Sequence, residues 1–191
     1  MLLYFNMNAT QQNLLKAFAG ESQARNKYQT FAKMARKENL EWIARVFEET
    51  ADNERVHAEE LFELITEKVE TVGDLSIEPF AKTSDNLKMA AEGEKYEALT
   101  MYPNFEEQAK VDGDAEAIRL FGNLKNVEAQ HEERYIIISG KLDSKTLYDS
   151  ETELTWKCVN CGNIYVGNKP PVTCPVCKKP FTWYMPLDLV K

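Results

Sequence analysis

The chain of 191 residues has little of several features that would classify it at once. It has only two histidines, no cysteine before residue 158, and no apolar run as long as a membrane span. Its first ten residues lack the basic flank and small-residue cleavage site of a secretory signal. Acidic residues outnumber basic ones by 31 to 23, and a net charge of −8 disfavours binding to nucleic acid. We therefore expect a cytoplasmic protein that binds neither membranes nor nucleic acids, with Met7 as an alternative start.

Helical periodicity is what the chain does have. From about residue 10 to residue 141, apolar residues recur at steps of three and four among many Ala, Glu, Lys, Leu and Gln. Ser84 or Asp85 is predicted to cap the third helix, Gly113 to end it, and Asp114 to cap the fourth. Pro103 should kink the third helix because proline removes a backbone donor. The four predicted helices span roughly 10–37, 39–68, 85–111 and 114–140.

The connection between the second and third helices is long, at about 16 residues. A helix of about 25 residues measures roughly 37 Å, and 16 extended residues reach about 53 Å. The link can therefore run the length of the bundle and make these two helices parallel. One long crossover among short turns is typical of a ferritin-like four-helix bundle. The predicted organisation is this bundle over 1–141, a polar linker over 142–153, and a small unit of strands and turns over 154–191.

Acidic side chains and both histidines fall on the helix faces that should form the core. A buried carboxylate without a partner costs several kcal/mol, so a concentrated positive charge is expected among them. Glu-x-x-His places an oxygen and a nitrogen ligand one turn apart on one helix face. The inward polar residues are Glu21, Arg25 and Tyr28 on the first helix, Glu54 and His57 on the second, Glu94 and Glu97 on the third, and Glu128 and His131 on the fourth.

This inventory predicts two divalent cations that share two carboxylates. Carboxylate di-iron bundles take one Glu from each of two helices and Glu-x-x-His from each of the other two. Glu21 and Glu94 would be the single ligands, which leaves Glu97 as one carboxylate in excess. Iron, zinc or manganese could occupy such ligands.

The four cysteines form two C-x-x-C pairs, Cys158 with Cys161 and Cys174 with Cys177. Two such pairs, separated by twelve residues, predict a closed tetrahedral thiolate site. Zinc and iron both suit four sulfurs, and a redox centre upstream favours iron because it needs an electron source. Residues 154–191 carry a net charge of +4, which leaves −12 for the rest of the chain.

The two pairs differ in the residue that follows them. Gly162 comes after the first pair and permits the unusual backbone angle that turns amides towards sulfur. Lys178 takes the corresponding place after the second pair without glycine's freedom. We therefore expect the second turn to be tighter or differently shaped.

Five segments of the chain, with the cysteine tail, resemble the rubrerythrin family. They read AFAGESQARNKY, ETADNERVH, GEKYE, MYPNF and NVEAQHEERY, and the likeness runs from about residue 8 to the end. The resemblance implies a ferritin-like di-iron bundle and a rubredoxin-like domain that holds a third iron, for which zinc can substitute. The implied di-iron ligands are Glu21, Glu54, His57, Glu94, Glu97, Glu128 and His131.

The resemblance also implies a role for each ligand. Glu54 and Glu128 would bridge the two irons. The first iron would exchange Glu97 for His57 when the site is reduced, because an anionic ligand suits ferric iron and a neutral imidazole suits ferrous iron. The terminal ligands would be Glu21 on the first iron, and Glu94 and His131 on the second.

The implied activity is reduction of hydrogen peroxide to water. His57, with Tyr28 and Tyr102, would order or protonate the peroxide oxygens. Electrons would come from a reductase or a rubredoxin, ultimately from a reduced nicotinamide, and pass through the four-cysteine iron. The resemblance implies a head-to-tail homodimer, in which the tail of one subunit lies against the bundle of another.

Two other functions compete with a peroxidase. One is a ferroxidase or iron-handling protein of the ferritin type, which the excess Glu97 and the cysteine unit disfavour. The other is a non-catalytic scaffold with a zinc ribbon, which leaves the carboxylate cluster without an explanation.

Overall fold

The computed structural model describes residues 8–70 and 77–187, so the alternative start at Met7 and part of the crossover lie outside the described residues. The first helix agrees with its predicted bounds to within one residue. The second ends five residues before the predicted position 68, and the last continues three residues beyond 140. The helical elements are α1 (Ala9–Lys37), α2 (Glu41–Glu63), α3 (Thr83–Tyr96), a π segment (Glu97–Met101), α4 (Tyr102–Asp112) and α5 (Ala115–Asp143).

Contacts at the helix ends give the direction of each helix. The Gln11 side chain, at the start of α1, donates to the Leu64 carbonyl just past the end of α2, at 3.0 Å. The Glu38 carboxylate, just past the end of α1, accepts from the Thr83 amide at the start of α3, at 3.1 Å. Helices α2 and α3 therefore start at the same end of the bundle and run parallel. The ferritin-like bundle with one long crossover is confirmed.

The start of α3 differs from the prediction. Ser84 and Asp85 lie inside its first turn and do not cap it, because the helix begins at Thr83 after Lys82, which makes no side-chain cap. The Glu38 carboxylate, just past the end of α1, accepts the hydrogen bond from the first amide of α3 instead. A cap that comes from another helix leaves no trace in the local sequence.

The third predicted helix is interrupted in its middle and ends where predicted. The Tyr102 amide donates to the Glu97 carbonyl, five residues back, which makes one wide turn. Pro103 follows at once and has no amide to donate, so the disturbance expected from it takes this form. Gly113 ends α4 with φ 73°, and Asp114 accepts from the Ala117 amide at 3.0 Å, which confirms both predicted caps.

Two apolar clusters fill the bundle, one on each side of the acidic side chains. The predicted inward position of Arg25 is wrong. Arg25 is exposed, and Ala24 takes the core position beside it. One cluster is aromatic and includes Tyr28, Phe31, Trp42, Phe47 and Tyr135. The other includes Leu14, Leu61, Tyr102, Phe121 and Leu124.

A small antiparallel sheet in the order β2-β1-β3 follows the bundle. Its strands are β1 (Leu154–Cys158), β2 (Ile164–Gly167) and β3 (Tyr184–Pro186). Tyr148 joins this unit to the bundle, since its ring lies 6.1 Å from that of Trp42 and 5.1 Å from that of Phe181. The sheet unit therefore sits at the end of the bundle where α2 begins. Among the described residues, no helix combines the length and apolar character that crossing a bilayer requires.

Candidate metal centres

Both Glu-x-x-His motifs are buried and face each other between α2 and α5. Their donor atoms, with those of Glu21 and Glu94, fall into two sets whose members all lie within 4.8 Å of one another. Glu54 and Glu128 belong to both sets. The first set is Glu21, Glu54, His57 and Glu128, and the second is Glu54, Glu94, Glu128 and His131.

The first set surrounds one imidazole nitrogen. His57 Nδ1 lies 2.8 Å from Glu54 Oε2, 3.3 Å from Glu128 Oε1 and 3.8 Å from Glu21 Oε2. Donors that share an ion at about 2.1 Å lie about 3.0–3.4 Å apart. The spacing therefore suits one ion at the centre of the set.

The second set repeats this geometry with the other oxygens of the shared carboxylates. His131 Nδ1 lies 2.9 Å from Glu128 Oε2, 3.4 Å from Glu54 Oε1 and 3.5 Å from Glu94 Oε2. Each shared carboxylate thus turns one oxygen to each set. This is the arrangement that two bridged ions require.

These donor atoms are buried without hydrogen-bond partners. Burial, followed by the charges of Glu94 and Glu21, raises the pKa of Glu54 well above its usual range. Burial and then Glu21 raise the pKa of Glu128 in the same way. Unpaired buried groups of this kind are costly, and cations between them would satisfy all of them together. The atoms are Glu21 Oε2, both oxygens of Glu54 and of Glu128, Glu94 Oε2, and Nδ1 of His57 and of His131.

Two buried tyrosines orient the carboxylates that belong to only one set. The Tyr28 hydroxyl donates to Glu94 Oε1, and the Tyr102 hydroxyl donates to Glu21 Oε1. The second oxygen of each carboxylate is thereby turned to its set. Tyr28 follows Glu21 by seven residues, whereas Tyr102 follows Glu94 by eight. The π segment accommodates this extra residue. The unequal spacing of the two Glu–Tyr pairs was therefore a signal in the sequence that could have predicted the π segment.

Glu97 lies in the π segment and outside both donor sets. Its side chain is partly buried, and burial, followed by the charges of Glu21 and Glu94, raises the pKa of its carboxyl well above the usual range. It therefore stays close to the ion sites without contributing an atom to either set.

The four cysteine sulfurs form a third donor set. Cys158 Sγ lies 3.6 Å from Cys177 Sγ, and Cys161 Sγ lies 3.7 Å from Cys174 Sγ. These distances exclude disulfides and agree with the separation of about 3.8 Å between thiolates around one tetrahedral ion. Burial opposes ionisation of Cys174, but hydrogen bonds from the Cys177 amide, the Tyr184 hydroxyl and the Val176 amide outweigh it, and the pKa of its thiol falls to about 6.

The two turns that carry these cysteines have the same shape. The Gly162 amide donates to the Cys158 carbonyl at 2.8 Å, and the Lys178 amide donates to the Cys174 carbonyl at 3.0 Å. Gly162 has φ 77° and Lys178 has φ 63°. The expectation of a differently shaped second turn is therefore wrong, because Lys178 adopts the left-handed conformation despite its side chain.

Comparisons with known proteins agree with this geometry. The family model described as rubrerythrin matches residues 12–137, and that of the rubrerythrin rubredoxin-like domain matches residues 156–182. Rubrerythrin from Porphyromonas gingivalis is 37% identical over 179 residues, which are 93% of this chain and 90% of the relative. Rubrerythrin from Nitratidesulfovibrio vulgaris is also 37% identical, over 172 residues and 90% of each chain.

Solved structures give the same result. Nigerythrin in a partially reduced state aligns with a TM-score of 0.64 and 33% identity, covering 93% of this chain and 86% of that one. Reduced symerythrin from Cyanophora paradoxa, at 21% identity and a TM-score of 0.61, shares the fold. With a di-iron carboxylate–histidine site in a ferritin-like bundle and a four-cysteine site in a rubredoxin-like domain, the chain belongs to the rubrerythrin family.

Proposed function

We propose that this protein is a peroxidase that reduces hydrogen peroxide to two molecules of water, with two electrons and two protons, in defence against oxidative stress. The observation that carries the proposal is the presence in one chain of two adjoining ion sites and a separate thiolate site. Two adjoining metals can deliver two electrons to one substrate. A thiolate-held iron can then return electrons to those two metals. The rubrerythrin family suggests an oxidoreductase, and this chain gathers carboxylate, imidazole and thiolate donors in three sets.

The donor sets support specific ligand roles. Glu54 and Glu128 would bridge the ions, because each turns one oxygen to each set. The first ion would exchange Glu97 for His57 on reduction. His57 Nδ1 belongs to the first set here, while Glu97 stands outside it, as expected for the reduced arrangement. Glu21 would complete the first ion's ligands, and Glu94 and His131 the second's.

The irons, when bound, would supply the electrons and polarise the peroxide O–O bond. The chain's own groups would manage protons and orientation. His57 is 8% exposed and sits at the edge of the site, so it can reach both an ion and an entering substrate. The hydroxyls of Tyr28 and Tyr102 already donate to site carboxylates, which places two protons within the buried cavity. These three residues are the proposed proton donors.

Electron supply would need a second copy of the chain. The sheet unit contacts the bundle near Trp42 through Tyr148. Trp42 precedes Glu54 by twelve residues, or about 18 Å along α2, and the cysteines lie farther out. A head-to-tail homodimer would bring the +4 unit of one chain to the acidic bundle of another, since residues 1–153 carry −12. We infer an NAD(P)H-linked reductase or a rubredoxin as the donor, and a cytoplasmic location, where thiols stay reduced.

Stopped-flow reoxidation tests the proposal. The iron-loaded protein is reduced anaerobically and mixed with either hydrogen peroxide or dioxygen at equal concentration. We expect peroxide to reoxidise the site much faster. Faster reoxidation by dioxygen, with continuing uptake of ferrous iron, would instead establish the ferroxidase alternative.

A visible spectrum and metal analysis serve as the control. Ferric iron in the four-cysteine site is red and bleaches with dithionite, whereas zinc there is colourless. A red preparation with about three irons per chain confirms that the reoxidation experiment has tested the complete protein.

A further inference from the structure

Glu97 stands beside two glycines and a lysine that neither donor set uses. We propose that Gly20, Gly93 and Lys27 form a receiving site for the Glu97 carboxylate when it is not bound to an ion. The inference deepens the proposed function, since it rests on the exchange of Glu97 for His57. Lys27 would be a positioning residue that acts through Glu97.

The two glycines occupy matching places on α1 and α3. Gly20 directly precedes Glu21, and Gly93 directly precedes Glu94. A Cβ on Gly20 would lie 3.9 Å from Glu97 Oε1, so the carboxylate rests directly against this bare stretch of α1. A larger side chain at Gly20 would crowd the Glu97 carboxylate, because an added Cβ alone already reaches van der Waals contact with it.

Gly93, which has no side chain, leaves space beside Glu97 on the α3 side. Side chains on a helix lean back over the preceding turn, towards the residue four positions earlier. For Glu97 that residue is Gly93. The Lys27 ammonium borders this space, because its Nζ lies 3.6 Å from where a Cβ of Gly93 would be. Released from the first donor set, Glu97 lies against Gly20 with Lys27 as a nearby cation, beyond the ion-pair distance of 4.0 Å, whose charge still acts on it.

Lys27 forms no ion pair with any of the described residues. Among the described residues, none places a carboxylate oxygen within 4.0 Å of its Nζ. The ammonium instead lies 5.0 Å from the centre of the Tyr28 ring, and its side chain is partly buried. Burial and neighbouring carboxylates raise the pKa of the Glu97 carboxyl, and Lys27 opposes them. Among the described residues its charge is thus not already paired, and it can act on Glu97.

The midpoint potential of the di-iron site, measured by spectroelectrochemistry, tests this inference. Lys27→Met should shift the balance between released and bound Glu97 by about tenfold towards the bound form. That lowers the potential of a two-electron couple by about 30 mV. Lys27→Arg keeps the charge and should restore the wild-type potential.

A double-mutant cycle separates this role from a general effect of charge. In a Glu97→Gln background, Lys27→Met should leave the potential unchanged, because the carboxylate on which Lys27 acts is gone. An equal fall in both backgrounds would overturn the inference, as would no fall in either. The cycle reads potentials rather than turnover, so it gives an answer even if the protein proves not to be a peroxidase.

A matched pair of glycine substitutions provides an independent test. Gly20→Val fills the space beside Glu97 and should lower the potential in the same direction as Lys27→Met. Gly140→Val makes the same change in α5, where nothing lies within 4 Å of the added Cβ, and should not. Circular dichroism checks that both fold. Equal potentials for two folded variants would contradict the role of Gly20.

Discussion

The Tyr102 hydroxyl donates a hydrogen bond to Glu21 across the bundle, and this contact decides which oxygen of Glu21 faces the first ion site. Tyr28 does the same for Glu94 at the second site. Each terminal carboxylate therefore has one oxygen held by a phenol and one left for a metal. The site is organised by groups that do not themselves belong to the donor sets.

Removal of one phenol should weaken one ion site. We expect Tyr102→Phe to lower metal affinity at the first site by about 10–100-fold, because Glu21 loses the bond that orients it. Titration of the metal-free protein with ferrous iron or cobalt under anaerobic conditions measures this. Tyr165→Phe, on the exposed β2 strand, is the matched control and should bind like the wild type. Equal affinities for the two variants would show that the bond to Glu21 has no part in metal binding.

The two histidines should differ when each is replaced. His57→Leu should keep both irons, because Glu97 stands ready as a substitute ligand, but should turn over peroxide at least tenfold more slowly. His131→Leu should lose the second iron, because among the described residues no further metal-binding side chain joins the second donor set. Iron analysis and a coupled peroxidase assay give both readouts. Unchanged turnover in His57→Leu would remove this residue from the mechanism.

Metal removal should reverse the way in which stability depends on pH. The pKa values of Glu54 and Glu128 are raised in the metal-free fold above their unfolded values. Their contribution to stability is therefore full below the unfolded pKa and is lost as pH rises through the folded pKa. The metal-free protein should lose stability as pH rises above the unfolded pKa of these carboxyls, while the loaded protein should not, because binding requires the ionised carboxylates.

Thermal unfolding of both forms across this pH range measures the effect. The gap between their melting temperatures should widen as pH rises. Parallel curves would mean that the two shared carboxylates are already ionised in the absence of metal.

Glycine at position 178 should stabilise the cysteine unit. Lys178 holds φ 63°, a conformation that costs a residue with a side chain about 1 kcal/mol more than glycine. Lys178→Gly should therefore raise the stability of the metal-bound unit by about that amount, measured by denaturant-induced loss of the thiolate–metal absorption. Lys179→Gly changes a neighbour outside the left-handed region and should not be stabilising. A loss of stability in Lys178→Gly would show that the Lys178 side chain contributes more than its backbone costs.

The convergence of most of the predicted acidic side chains and both histidines could be anticipated, because helix geometry brings residues three and four apart to one face. Both Glu-x-x-His pairs, Glu21 and Glu94 come together as the spacing predicts. The same holds for the turn at Gly113, where a left-handed residue is needed. These features depend on local sequence, and four helices of similar length leave few ways to assemble them.

The features that were missed depend on contacts between distant parts of the chain. The start of α3 is set by Glu38, which belongs to another helix. The exposed position of Arg25 depends on how α1 packs, since one step of rotation puts Ala24 in the core instead. In the π segment the backbone hydrogen bond joins residues five apart, whereas in an α-helix it joins residues four apart. A search for apolar residues at one fixed helical period does not detect this change.

Apart from the one-residue excess in the π segment, the two halves of the bundle repeat the same pattern of site residues. Glu21, Tyr28 and the motif at Glu54 recur as Glu94, Tyr102 and the motif at Glu128, with one residue added. Duplication and fusion of a single ancestral hairpin would leave this repeat. The position three after Glu21 holds Ala24, whereas the position three after Glu94 holds Glu97. If Glu97 exchanges with His57 as proposed, this is the position at which the two halves of the repeat differ in the ligand that they can offer.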